Sequence, residues 1–294
     1  SSMQVGQCKY VILTNQHGGV LNDPILLRVE EDIYWFSLAD SDILFWAQGL
    51  AANSDYDVEI SEPDVSPLQL QGPKSRDIMV KIFGDEILDL KYYWFKKFTH
   101  NGVELIISRT GWSSELGYEI FLTDSIYGND LYNTIMDIGH PMGLKPGHTS
   151  TIRRIEGGML SYHADMTINT NPLELGMDKF INLDQDFNFI GKDALINISN
   201  QGLSRKQVGI IIEDNPMPGP NTRFWDVIKN GAVIGKVTSA VYSPRLKQNI
   251  GLAMVDIKYS DIGEELQIDN GTMILDCKIV KKPFYDPNKS LTKS

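Results

Sequence analysis

An α+β fold is predicted for this chain of 294 residues because its apolar pattern changes once along its length. Up to residue 195, short strand-like segments are separated by amphipathic segments of about ten residues with helical spacing. Beyond residue 195, strand-like segments follow one another with Gly or Asn-Gly turns between them. We therefore expect an α/β core in residues 1–195 and a small β-barrel or sandwich domain in residues 196–294.

The elements of the first region are predicted from periodicity and from residues that begin or end helices and strands. Strands are expected at residues 10–13, 25–29, 33–38, 68–70, 105–107 and 118–122. Helices are expected from Ser41, a suitable N-cap, and at residues 75–83 and 129–138. The Gly18-Gly19 turn separates the first two strands, and the last two are expected to pair across a loop that contains Trp112.

The second region is predicted to be rich in strands because turn residues interrupt it at short intervals. Strands are expected at residues 208–212, 227–228, 233–237, 250–255, 266–268 and 273–280. Asn230-Gly231 and Asn270-Gly271 are expected to close hairpins, since such turns require positive φ at their central residues. Residues 214–222, which are rich in Pro and Gly, are expected to form a loop.

Composition and charge argue against several classes of protein. The chain has 42% hydrophobic and 22% charged residues, which is ordinary for a globular protein. Its net charge of −11 disfavours nucleic acid as a partner, since such binding depends on neutralising phosphates. No apolar segment approaches the roughly 18 residues of a membrane span, so no membrane partner is expected. The five histidines are scattered without metal-ligand spacing, and no metal is expected.

The cysteines and the first residues bear on where the protein works. Cys8 and Cys277 are far apart and lack CxxC spacing, which fits a reducing compartment. The opening residues Ser1-Ser2-Met3 suggest a truncated N-terminus. We expect a cytoplasmic location and leave a mitochondrial one open, because a targeting segment cannot be judged from this end.

The most informative segment is residues 109–119, which read Arg-Thr-Gly-Trp-Ser-Ser-Glu-Leu-Gly-Tyr-Glu. It places Glu119 at the start of an apolar strand, directly after a loop that carries Trp112. A carboxylate can accept two charge-assisted hydrogen bonds from a flat heterocycle that presents two N–H donors side by side, and an indole can cover the ring. The alternative is a solvent-exposed Glu on an edge strand and a core Trp.

Several motifs occur in the order known from one enzyme family. They are residues 10–23, residues 70–74 with Gln-Gly-Pro, residues 109–119, residues 154–159 (Arg-Ile-Glu-Gly-Gly-Met), residues 238–244 and residues 283–285. Together they resemble the signatures of the glycine-cleavage T-protein (aminomethyltransferase) family over most of the chain, without the family's opening segment. The resemblance implies two mixed α/β modules and a C-terminal antiparallel β-barrel around a central folate channel.

The resemblance also implies one-carbon chemistry on tetrahydrofolate. Asn22-Asp23-Pro24 and the residues around Trp112 look like the family's demethylase branch. That branch implies methyl transfer from a small methylated onium compound, such as dimethylsulfoniopropionate, to N5 of tetrahydrofolate. The enzyme alternative is an aminomethyltransferase that works with a lipoyl carrier protein, and the alternative of another class is a non-catalytic folate-binding module. Ser150 stands where the family usually has an Arg, which counts against the aminomethyltransferase.

By the same resemblance, individual residues are expected to form the site. Asp23 is expected to be the catalytic carboxylate, beside the folate nitrogen that receives carbon, where it favours a cationic donor. Glu119 is expected to bind the pterin, with Trp112, Tyr10 and Tyr162 as aromatic contacts to folate or the donor.

Two arginines and one phenylalanine complete the expected site. Arg153 and Arg154 are adjacent in a helix and point to different faces, so we expect one to pair with a carboxylate such as Glu156. Arg154 and Arg245 are then the candidates for binding the anionic glutamyl tail of folate. Phe121 stands where the demethylase branch is expected to have Tyr, and it is assigned to the donor pocket.

Overall fold

The structure, a computed structural model, describes residues 3–38 and 43–294. The chain divides into two structural units. Unit 1 comprises Ser1–Tyr10, Pro24–Thr149 and Lys289–Ser294, and unit 2 comprises Val11–Asp23 and Ser150–Asn288. Each unit is therefore assembled from separate stretches of the chain. Within the described ranges, none of the helices has both the length and the apolar character needed to cross a membrane.

Strands and short helices alternate along the chain. The strands are β1 (Cys8–Tyr10), β2 (Leu13–Thr14), β3 (Val20–Asn22), β4 (Ile25–Arg28), β5 (Tyr34–Ser37), β6 (Ser66–Gln71), β7 (Phe95–His100), β8 (Val103–Ser108), β9 (Gly117–Leu122), β10 (Arg205–Ile212), β11 (Trp225–Lys229), β12 (Ala232–Ser243), β13 (Gln248–Asp256), β14 (Glu265–Asp269) and β15 (Ile274–Val280). The α-helices are α1 (Leu44–Ala52), α2 (Ser75–Phe83), α3 (Gly128–Gly139), α4 (Thr151–Glu156), α5 (Lys192–Gln201) and α6 (Ser290–Lys293).

Unit 1 contains two antiparallel sheets, with strand orders β1-β4-β5 and β6-β9-β8-β7. In the larger sheet β9 is an interior strand, and all of its residues are buried. Successive side chains of a strand point to opposite faces. Tyr118 and Ile120 therefore pack with Ile78 and Met79 of α2 in the main core of the unit. Phe121 joins a second apolar cluster, with residues of β1 and β4.

In unit 2 the C-terminal strands close into a six-stranded antiparallel barrel, in the order β10-β13-β12-β11-β14-β15. Alternate apolar side chains of these strands fill its interior. Asn230 and Gly231 join β11 to β12 with φ angles of +52° and +77°, as the hairpin prediction requires. Because β15 pairs with β10, the sheet has no free edge, which decides for a barrel over a sandwich.

Most of the predicted elements are present, with shifts at their ends. Helix α2 has its predicted bounds, α3 is one residue longer at each end, and β8 pairs with β9 as expected. The strand predicted at residues 10–13 is divided, because β1 pairs with β4 whereas β2 pairs with β3. The predicted N-cap Ser41 lies outside the described residues. Strand β7 was not predicted, because consecutive lysines of this edge strand mask its alternation.

Candidate active site

Glu119 lies between two polar neighbours in the larger sheet of unit 1. Its register partners are Gln69 in β6 and Ser108 in β8. Register partners direct their side chains to the same face of a sheet, so the three residues form one polar row. Only 8% of Glu119 is exposed. The alternative of a solvated Glu on an edge strand is therefore wrong, because β9 is paired on both sides.

Two neutral groups donate hydrogen bonds to the Glu119 carboxylate. Gln69 Nε2 donates to Oε1 at 2.7 Å, and the Thr110 hydroxyl donates to Oε2. Ser108 Oγ lies 2.5 Å from Thr110 Oγ1 and belongs to the same chain of hydrogen bonds. Burial raises the pKa of Glu119, and the hydrogen bonds from Thr110 and Gln69 oppose that rise. A hydroxyl and an amide thus stabilise the ionised carboxylate.

The loop before β9 is closed onto the side chain of Gln71. The Nε2 atom of Gln71 donates to Tyr118 O at 3.3 Å, and its Oε1 accepts from Ser113 Oγ at 2.5 Å. A Cβ atom at Gly111 would lie 2.5 Å from Gln71 Nε2, which favours glycine at that position. The loop holds Trp112 half-buried. It therefore has defined contacts on the strand that carries Glu119.

Tyr10 and Phe121 are the other predicted site residues of unit 1. Tyr10 ends β1 and is half-buried. Phe121 is 4% exposed and packs edge-to-face against Trp35, with ring centroids 6.4 Å apart. Because Phe121 follows Glu119 by two residues in β9, both side chains lie on the same face of the sheet.

In unit 2 the β2–β3 hairpin positions Asp23. Asp23 follows β3 directly, and its backbone N–H donates to Asn22 Oδ1 at 2.8 Å. Gly19 precedes β3, and a Cβ atom there would lie 2.0 Å from the backbone oxygen of Ile168. Such a clash with main chain cannot be relieved by rotating a side chain, so the close approach requires glycine.

Tyr162 is close enough to Asp23 to sense its charge. The Tyr162 hydroxyl donates to Val20 O at 3.1 Å, which ties it to the hairpin that carries Asp23. Burial raises the pKa of Tyr162, and the negative charge of Asp23 raises it further. Unit 2 therefore brings together two of the predicted residues, a carboxylate and a neutral phenol.

Arg154 is held by residues of its own unit. It is 6% exposed, and its Nη1 donates to Asp165 Oδ2 at 2.7 Å. Its Nη2 donates to Ser239 Oγ at 2.8 Å. The oxygens of Asp165 also accept hydrogen bonds from Thr238 and Ser239. Helix α4 and strand β12 of the barrel are thus joined through one buried guanidinium.

A second cluster in unit 2 forms around the buried carboxylate of Glu156. Arg153 Nη1 lies 2.7 Å from Glu156 Oε2, which confirms the expected pairing of one of the adjacent arginines. Arg245 Nη1 lies 3.5 Å from the same oxygen, and its guanidinium carbon is 4.2 Å from the ring centroid of Tyr285. Ser150 caps helix α4, since its Oγ accepts from Arg153 N at 3.3 Å.

The structure distributes the predicted residues over the two units. Unit 1 contains Tyr10, Trp112, Glu119 and Phe121, and unit 2 contains Asp23, Arg154, Tyr162 and Arg245. Sequence reasoning missed the three partners of Glu119, which are Gln69, Ser108 and Thr110. Thr110 lies inside the motif that contains Glu119, so the motif itself was an available signal. Gln69 is placed opposite Glu119 only by the strand register, which a single sequence does not reveal.

A mixed α+β chain that ends in a closed six-stranded barrel is the architecture of an aminomethyl- or methyl-transferring enzyme. Two family models match the chain: the GCVT N-terminal domain over residues 1–185, and the glycine cleavage T-protein C-terminal barrel domain over residues 205–286. The chain therefore belongs to the glycine-cleavage T-protein family, as the motifs indicated.

Curated relatives with two different names are similar to this chain. Dimethylsulfoniopropionate demethylase DmdA of Ruegeria pomeroyi is 37% identical over 263 residues, which cover 90% of this chain and 71% of the relative. An aminomethyltransferase of Thermoanaerobacter pseudethanolicus is 33% identical over 295 residues, which cover 98% of this chain and 78% of the relative. The crystal structure of the glycine cleavage system aminomethyltransferase T from Bartonella henselae matches with a TM-score of 0.85 at 21% identity, covering 96% of this chain and 77% of that one. That likeness bears on the fold alone.

Proposed function

We propose that this protein is a tetrahydrofolate-dependent methyltransferase that demethylates a small methylated onium compound of the dimethylsulfoniopropionate kind. The observation that carries the donor class is the 37% identity to a demethylase over 90% of this chain. Asn22-Asp23-Pro24 and the Trp112 loop, which resemble the demethylase branch, support the same class.

The environment of Glu119 fits a reduced pterin. A pterin presents a ring N–H and an amino group side by side, and a carboxylate can accept both. Glu119 is buried, and Thr110 and Gln69 are neutral donors that leave its negative charge in place. In our proposal Glu119 holds the pterin, and the neighbouring Trp112 loop limits access of water.

Asp23 and Tyr162 are assigned to the donor side. Tetrahydrofolate, when bound, supplies the nitrogen that accepts the methyl group. The Asp23 carboxylate attracts and orients a cationic donor, and it stabilises the positive charge that the methyl group carries across. Tyr162 stays protonated beside Asp23, and its ring offers a face for a cation. Arg245 and Arg154 remain the candidates for the glutamyl tail, and Phe121 for the donor pocket.

Binding of tetrahydrofolate is tested by titration of the wild type and of Glu119→Ala under anaerobic conditions. Loss of two hydrogen bonds to a buried charge should weaken binding by about 2–5 kcal/mol. Glu104→Ala is the matched control, because Glu104 lies in the same sheet but faces Lys97 at the surface, 3.1 Å away. An affinity that is equal in both variants removes Glu119 from the site.

The donor class is tested by incubating the protein and tetrahydrofolate with a panel of methylated sulfonium, ammonium and amine compounds. Methyl transfer to folate from a sulfonium, lost in Asp23→Asn, is the expected result. A second function is favoured by the aminomethyltransferase relatives, such as the one that covers 98% of this chain. Transfer of carbon from an aminomethylated lipoyl carrier protein, with no reaction of any onium compound, would establish that function. Binding of folate without any transfer contradicts both.

A further inference from the structure

The polar row of Ser108, Glu119 and Gln69 crosses three strands from a buried end to an exposed one. Ser108 is fully buried and Gln69 is exposed. Thr110, which joins Ser108 to Glu119, is also buried. The next side chain on this face of β9, Phe121, packs in an apolar cluster. A row of hydrogen-bonded polar groups on an apolar face requires a reason, because burial of each group costs free energy unless it is paired.

The hydrogen bonds of the row leave Glu119 able to accept two more donors. An ionised carboxylate has about four acceptor positions, two on each oxygen. Gln69 takes one position on Oε1, and Thr110 takes one on Oε2. One position on each oxygen remains, which is what a ligand with two adjacent N–H groups needs. Because each oxygen is held by a different residue, the rotation of the carboxylate is also set.

We propose that Thr110 and Gln69 are positioning residues that keep Glu119 ionised and aim its two oxygens at a ligand with adjacent N–H donors. Ser108 assists, because its hydroxyl can donate to Thr110 Oγ1 and so direct the Thr110 proton toward Glu119. The inference rests on the proposed function, since the ligand edge that it describes is that of a reduced pterin.

The titratable neighbours of Glu119 supply no compensating positive charge. Cys8 from β1 and Tyr93, just before β7, interact electrostatically with Glu119. The pKa of each is raised, mainly by burial, with the charge of Glu119 as a smaller cause, so both stay neutral near pH 7. Ionisation of Glu119 therefore depends on the hydrogen bonds from Thr110 and Gln69.

The first test measures the pKa of Glu119 in ligand-free protein. The signal is the NMR resonance of Glu labelled at the side-chain carboxyl carbon, assigned with Glu119→Gln. Thr110→Val keeps the shape but removes the hydroxyl, and it should raise the pKa by about one unit or more, a tenfold weaker acid. Gln69→Ala should raise it less, because water can replace an exposed amide. Thr110→Ser should restore the wild-type value.

The second test measures the affinity for tetrahydrofolate as a function of pH. Binding requires the ionised carboxylate, so affinity falls as the pH drops through the pKa of Glu119. In Thr110→Val this fall should begin at higher pH, by the same shift as the measured pKa, and the affinity at neutral pH should be about tenfold weaker or more. Gln267→Ala is the matched control, since exposed Gln267 donates to the Asp276 carboxylate at 3.2 Å in unit 2. Its profile should match that of the wild type.

The outcomes separate this inference from the proposed function. If the wild type binds tetrahydrofolate and Thr110→Val has the same carboxyl pKa and the same pH profile, the positioning role is wrong and the proposed function stands. If the wild type does not bind tetrahydrofolate, the proposed function fails, and the ligand named here fails with it. A raised pKa with a matching shift of the binding profile, reversed in Thr110→Ser, supports both.

Discussion

Arg154 and Asp165 form a buried ion pair in which Nη1 and Oδ2 are 2.7 Å apart. Only 7% of the Arg154 side chain and none of the Asp165 side chain are exposed. The backbone N–H of Ser161 donates to the same carboxylate at 3.0 Å. Buried ion pairs of this kind are costly to break, because a charge left alone in the interior has lost its water and its partner.

Replacing Asp165 by Ala should therefore destabilise the protein by about 3–5 kcal/mol, since it leaves the Arg154 guanidinium without its carboxylate. The measurement is the free energy of unfolding in urea. Asp226→Ala is the control, because the Lys236–Asp226 pair is solvent-exposed and should cost about 1 kcal/mol or less. Equal losses in the two variants would contradict a structural role for the Arg154–Asp165 pair.

The stability of Glu119→Gln should exceed that of the wild type increasingly as the pH rises. Because burial raises the pKa of Glu119 above 4.5, folding favours the protonated carboxyl. That contribution is complete below the unfolded pKa and is lost as the pH passes the folded pKa, whereas Gln does not titrate. The gain should be about 1.4 kcal/mol for each unit of pKa shift, measured by thermal unfolding from pH 4 to pH 8. A difference that is independent of pH would refute this.

Lys282 should make the stability of the wild type depend on pH in alkaline solution. Its ammonium donates to Gln207 Oε1 at 2.5 Å, and burial lowers its pKa from 10.5 to about 8. The unfolded chain then binds more protons between these values, so unfolding free energy should rise with pH across that window, by about 2–3 kcal/mol relative to Lys282→Met. The neighbouring, exposed Lys281 provides the control variant Lys281→Met, which should keep the wild-type slope.

The phenol of Tyr162 should ionise at lower pH when the charge of Asp23 is removed. Burial is the larger cause of its raised pKa, and Asp23 is the second cause, so Asp23→Asn should give a partial return toward the ordinary value of 10.0. The measurement is phenolate absorbance against pH, with Tyr162→Phe subtracted to isolate this residue. Asp226→Asn should leave the Tyr162 titration unchanged, and a shift in that variant would contradict the assignment to Asp23.

Local pattern predicted those elements whose side chains satisfy one rule along their whole length. Helix α2 has its predicted bounds because its apolar residues all face one core. The barrel strands were predicted because Gly and Asn-Gly turns mark their ends. The division between β1 and β2 was not predictable, since it depends on which distant strands they pair with. The partners of Arg154 were likewise hidden, because Asp165 and Ser239 are distant along the chain.

The amino-acid sequence alone determined the class of this protein: an α+β chain of the glycine-cleavage T-protein family with Glu119 and Asp23 as its leading candidate residues. Periodicity and motif order are local properties, so they can be read without coordinates. Tertiary structure alone decided that Glu119 is buried and held by Gln69 and Thr110, and that Arg154 pairs with Asp165. These relations depend on strand register and on the packing of segments far apart in the chain, where a shift of one residue would turn each side chain to the other face.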